Sequence, residues 1–146
     1  MRKEENHAHE AAHGWFGDGI RLKCWEDFVL SEGAASYLAA RALGAVAGTT
    51  AEADAWEGYQ TRLNTVMARS DVSKIARPEG CGAVDVLATL YTSIPYMKGA
   101  FFLRAVEKKV GRNAFDRVLK NFYAAHVGKT AGVNDLLEAI RTDTGY

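Results

Sequence analysis

The chain has 146 residues, enough for one domain with a real core, and its 18 basic and 18 acidic residues cancel to a formal charge of +0. This balance provides neither a basic face for nucleic acid nor an acidic tail, and no apolar stretch approaches the ~20 residues of a membrane span. The polar start Met1 to Asn6 lacks the apolar core of a signal peptide, and Cys24 and Cys81 show no Cys-x-x-Cys spacing, so free buried thiols in a reducing, cytoplasmic setting are expected.

Residues 2–16 read as the first helix, with Glu4 and Glu5 in the first turn, where the helix dipole favours acids. It carries His9-Glu10-Ala11-Ala12-His13, an H-E-x-x-H motif. Positions i and i+4 lie on one helix face, so the His9 and His13 imidazoles can reach one metal ion. Glu10 sits one helical step away, within reach of a water at that ion. His7 points away from the His9 face and reads as a solvated histidine, with an adventitious metal contact as the alternative. Gly17-Asp18-Gly19 ends the helix, with Asp18 read as a loop hydrogen-bonding residue.

Ile20 to Trp25 connects to a second helix over 27–44, closed by Gly44. Phe28, Glu32, Ala35 and Ala39 share one face of it, which places Glu32 among small and apolar residues. A lone buried carboxylate is costly. Metal ligation gives Glu32 a reason to be there; a structural carboxylate bonded to backbone is the other reading. Zinc needs a third protein ligand beside two histidines, and Glu32 can supply it.

Thr49-Thr50-Ala51-Glu52 reads as a capping box, Thr49 as N-cap and Glu52 at N3. The helix after it carries Trp56, Tyr59, Leu63, Val66 and Met67 at core spacing. Ser70 to Ala83, with Pro78, Gly80 and Gly82, is a loop, and a short helix follows over 83–90. Pro95 suits the first turn of a helix that runs to about Val110 and buries Phe102, Val106 and Val110. Phe115, Val118, Leu119, Phe122 and Tyr123 mark the next helix. Val133, Leu136, Leu137 and Ile140 mark the last, at about 131–142. No strand, repeat or low-complexity tract stands out.

Three separated segments carry a resemblance: His9 to Gly17, Trp25 to Gly33 and Tyr96-Met97-Lys98-Gly99-Ala100. Over most of residues 7–146 the chain resembles the gluzincin metallopeptidases of the aminopeptidase N and leukotriene hydrolase family, whose pattern is H-E-x-x-H-x-W-x-G, W-x-x-x-x-L-N-E-G and Y-x-K-G-A. The resemblance implies one Zn2+ held by His9, His13 and Glu32, Glu10 as general base, and Tyr96 as the oxyanion-stabilising tyrosine. Tyr91, outside the motif, is a weaker candidate for that last part.

The chain departs from the pattern at Gly14, Ser31 and Ala39, where the family commonly has Gln, Asn and Glu. It also has no G-x-M-E-N motif and corresponds to the zinc helix plus the helical half of a thermolysin-like catalytic domain. The fold expected is therefore all-α, a single domain over 1–146 without the upstream β-sheet. Apolar surface around Trp15 and Phe16 would then lack cover, which suggests a homo-oligomer formed through the zinc-helix side. Two functions remain open. One is a zinc-dependent hydrolase of peptide or small amide substrates, aminopeptidase-like by resemblance. The other is a zinc-binding helical module with little or no catalysis.

Overall fold

In the computed structural model, which describes residues 3–146, the all-α expectation holds. Among the described residues six α-helices follow one another: α1 (Lys3–Ala12), α2 (Phe28–Ala47), α3 (Thr49–Met67), α4 (Ser93–Val110), α5 (Arg112–His126) and α6 (Val133–Thr144). Arg2, the expected first residue of α1, lies outside the described residues. Two short strands, absent from the sequence expectation, pair in parallel: β1 (Arg21–Leu22) runs alongside β2 (Thr130–Ala131). They tie the segment after α1 to the entrance of α6. None of the described helices is long and apolar enough to cross a membrane.

The central element is α2. Its apolar and small residues run round the whole circumference, as in a helix covered on every side, and all but Val29 and Leu38 between Phe28 and Ala40 are buried. It packs on α1, α3 and α4. Tyr37 is fully buried between the rings of Trp56 and Phe115. Burying a side chain of that size is worth about 1.5–3 kcal/mol. The amphipathic α5 closes the core with Phe115, Val118, Leu119 and Phe122. The contact of α2 with α4 is close enough that a Cβ placed on Gly33 would lie 2.6 Å from the Gly99 Cα. Only glycine at both positions permits this approach.

Several expectations need correction. The first helix ends at Ala12, and His13 to Asp18 continue as turns. Gly44 does not end α2, which runs on to Ala47 and stops at Gly48, where φ is 90°. Thr49 caps nothing: Gly48 is the N-cap of α3, and the Glu52 carboxylate instead accepts from Arg112 at 2.9 Å. The 83–90 helix is replaced by a 3-10 turn (Cys81–Ala83) and a π turn (Val86–Leu90). Phe102, Met67 and Leu137 are exposed, because Leu103, Val66 and Leu136 beside them point into the core. Phe16 is buried and stacks on Phe122, leaving only Trp15, 52% exposed, of the expected apolar patch.

The cysteines are not free buried thiols. Cys24 and Cys81 form a disulfide, with Cys81 exposed and Cys24 half-buried. The loop reaches Cys24 because the Glu26 carboxylate accepts from the backbone N–H groups of Gly80 and Cys81 at 3.2 and 2.9 Å. Arg77 bonds Glu26 and Asp27 from the same loop. With the thiols paired, the reason for expecting a reducing compartment falls away.

Candidate metal centre

His9, His13 and Glu32 converge. His9 Nε2 lies 3.0 Å from Glu32 Oε2 and 3.1 Å from His13 Nε2. His13 Nε2 lies 3.4 Å from the same carboxylate oxygen. Ligands bonded to zinc at about 2.0–2.1 Å in tetrahedral geometry stand roughly 3.3 Å apart. The three atoms therefore already form one face of such a tetrahedron, and the donor set fits zinc.

The outer nitrogens support the same assignment. His13 Nδ1 donates to the Phe16 carbonyl at 2.9 Å, which fixes its proton there and turns the Nε2 lone pair inward. Ser31 Oγ lies 3.4 Å from that Nδ1 and donates to the same carbonyl. So although Ser31 replaces the family's asparagine, a polar group still stands beside His13. His9 Nδ1 lies 3.3 Å from Ser36 Oγ, which is buried. The sequence reading missed Ser36. Its signal was the i+4 spacing from Glu32, which puts both on one face of α2.

Two imidazole lone pairs facing a carboxylate need a cation between them, whether a proton or a metal. In the metal-free chain a proton supplies it. The hydrogen bond to Glu32 raises the His13 pKa from 6.5 to about 9, against the opposing effect of burial. Burial pushes the Glu32 carboxyl up, but hydrogen bonds from His13 and His9 outweigh it and hold the group at about 2.

Tyr96, in the first turn of α4, stacks on His9 with ring centroids 5.8 Å apart and meets Phe28 edge-on. Burial, then the charges of Glu32, Tyr91 and Glu10, drive its pKa well above the usual phenol value, so its hydroxyl stays a donor. Tyr91 is exposed in the turn before α4. Glu10 is exposed on α1 and lines an open cleft of about 720 Å³ together with His13, Glu32 and Asp18. Trp25, Phe28 and the Cys24–Cys81 bridge form part of its wall. Asp18 and Gly14 are exposed, and His7 is exposed away from the centre. Of the five residues expected at the site, Glu10, His13 and Glu32 line this cleft, while His9 lies buried against Glu32 and Tyr96 stacks on His9 and borders a neighbouring pocket with Tyr91.

Comparison with known proteins shows the family of the chain. The Peptidase family M1 domain matches residues 2–145. Among curated proteins, the chain is similar to the Tricorn protease-interacting factor F2 of Thermoplasma volcanium, 29% identical over 140 residues, 94% of this chain and 18% of that protein. It is also similar to the probable aminopeptidase 1 of Sulfurisphaera tokodaii, 31% identical over 138 residues, 91% of this chain and 17% of that protein. The chain therefore spans less than a fifth of the length of these relatives. Among solved structures it resembles the M1 zinc metallopeptidase from Deinococcus radiodurans, at a TM-score of 0.77 and 26% identity over 99% of this chain and 31% of that one. Native leukotriene A4 hydrolase from Saccharomyces cerevisiae superposes at a TM-score of 0.86 with 22% identity, over 94% of this chain and 22% of that one, a likeness of fold alone.

Proposed function

This chain belongs to peptidase family M1, and on that premise we propose that it is a zinc-dependent hydrolase of peptide or small amide bonds, aminopeptidase-like in substrate class. The convergence of His9, His13 and Glu32 at zinc-ligand spacing, on a cleft that Glu10 also lines, carries the reading. His9 and His13 would hold the ion through Nε2 and Glu32 through Oε2. Zinc bound there would supply Lewis-acid chemistry, lowering the pKa of water to about 7 and polarising the substrate carbonyl. Glu10 accepts the proton of the attacking water and returns it to the leaving amine, as general base and then general acid. Tyr96 donates its hydroxyl to the oxyanion that develops on the carbonyl. Phe16 and Ser31 hold the His13 ring, and Ser36 the His9 ring, in the tautomer that ligation requires.

The test uses zinc-loaded Glu10→Gln and Tyr96→Phe with a panel of amino-acid anilides and internally quenched peptides. Neither substitution removes a ligand, so zinc content should match that of the wild type. Loss of the tyrosine hydroxyl should lower kcat by about 10²–10³ with little change in KM. A zinc-loaded variant as active as the wild type would remove that residue from the mechanism. No turnover above the Glu10→Gln background would leave a zinc-binding module instead.

A further inference from the structure

The Cys24–Cys81 bridge forms part of the cleft wall and belongs to neither helix turn that carries the His9, His13 and Glu32 group. Cys81 and Gly82 come from the long connection between α3 and α4, and Cys24 and Trp25 from the turn that leads into α2. All four line the same cleft as Glu10, His13 and Glu32. Cys81 is exposed to reductants and holds a φ of 46°, a left-handed conformation uncommon for a residue with a side chain. Such a conformation persists where its surroundings enforce it.

Near Cys81 the other tethers are the two N–H bonds to Glu26 and the Arg77 pairing with Glu26 and Asp27. The Arg77–Glu26 pair is partly exposed and adds little by itself, while the Arg77 bond to the buried Asp27 anchors the segment at Arg77, four residues short of Cys81.

We propose that this disulfide is a redox latch, which in its oxidised form holds the 77–83 segment as a wall of the substrate cleft and on reduction releases it. The inference rests on the peptidase reading for its effect on substrate, but not for the motion of the segment. A dithiol drives the change. One thiolate attacks a bridge sulfur to form a mixed disulfide, and the second thiol displaces it. Two electrons and two protons pass to Cys24 and Cys81, and the reductant leaves as its own disulfide.

The experiment compares three zinc-loaded proteins: oxidised, reduced by dithiothreitol and then freed of it, and the Cys24→Ser/Cys81→Ser double variant. At short labelling times, amide exchange of the 77–83 segment should speed up about tenfold or more in the last two, while α1 and the first turns of α2 keep their protection. Zinc content should not change, and KM for peptides should rise several-fold with kcat nearly constant. Reoxidation with glutathione disulfide should restore the first state. Equal exchange of 77–83 in all three would overturn the latch. So would loss of zinc, or loss of protection throughout α1 and α2 at the same short labelling times, since the native fold would then not stand without the bridge. If the oxidised protein shows no turnover, the peptidase reading fails, and the exchange comparison alone decides the latch.

Discussion

The proton between His13 and Glu32 gives zinc binding a steep pH dependence. Ligation requires a neutral imidazole, and His13 in the metal-free chain titrates at about 9 because of the Glu32 carboxylate. The neutral fraction is then about one in a thousand at pH 6 and about one in ten at pH 8. Zinc affinity should therefore rise about tenfold per pH unit, or about a hundredfold over that interval. With the ordinary histidine pKa of about 6.5, the same interval would change affinity only about fourfold. Glu32, held at about 2, is ionised throughout and adds no slope. Calorimetric titration with zinc at pH 6, 7 and 8, in buffers of different ionisation enthalpy, measures both the affinity and the protons released. About one proton per zinc should appear at pH 7. A fourfold change in affinity, with a quarter of a proton released, would refute the coupling. In the metal-free protein both groups of this pair contribute to stability. The raised His13 pKa stabilises the fold fully below 6.5, and that contribution is lost as pH rises through about 9. The lowered Glu32 pKa stabilises it above 4.5, and that contribution is lost as pH falls towards about 2. Through this pair the chelated protein is most stable between those two ordinary values.

Removing zinc should lower Tm, since a ligand bound only to the native state adds about 4 kcal/mol at a thousandfold excess over Kd. Scanning calorimetry with and without a chelator checks this, and identical curves would exclude a three-ligand site. His13→Ala should lose most of its metal, and a stoichiometry of one zinc retained in that variant would remove His13 from the ligand set. Reducing the disulfide, which closes a loop with a sequence separation of 57 residues, should destabilise the fold by about 4 kcal/mol on chain-entropy grounds. A thermal melt should show this as a fall in Tm on the order of 10 °C, while the native state persists at 25 °C. Self-association through Trp15 should weaken in Trp15→Ser, and light scattering that finds a clean monomer in the parent chain at high concentration would reject it.

The grouping of His9, His13 and Glu32 was legible in the sequence through local rules, whereas Tyr96 was singled out only by the resemblance. The i, i+4 spacing of His9 and His13 and the buried helix position of Glu32 follow from helix periodicity alone. What was not legible depends on distant partners. Gly44 looked like a helix terminator, yet it lies within α2 where a Cβ would come 2.5 Å from the Glu52 carboxylate. That same approach draws Glu52 away from the backbone of its own helix, towards Arg112, so the apparent capping box never forms. The cysteines gave no local sign of pairing, because Glu26 and Arg77 bring their segments together only in the folded chain. Phe102 carried the right periodicity for the core but sits one position off the face that Leu103 and Val106 bury.

The touching glycines of α2 and α4 set the mechanical tolerance of the centre. Glu32 is the residue beside Gly33, and Tyr96 stands three residues from Gly99, about 4.5 Å along the helix axis. At the crossing point the two backbones touch, which makes it the pivot of any rocking between the helices, and both side chains sit close to it. A rocking of α4 against α2 by about 10° would carry the Tyr96 backbone less than about 1 Å at that lever arm. The far end of α4, at Val110, would swing through several times that distance. Loops and helix ends remote from the pivot can thus drift in sequence and position while the carboxylate and the phenol stay in register.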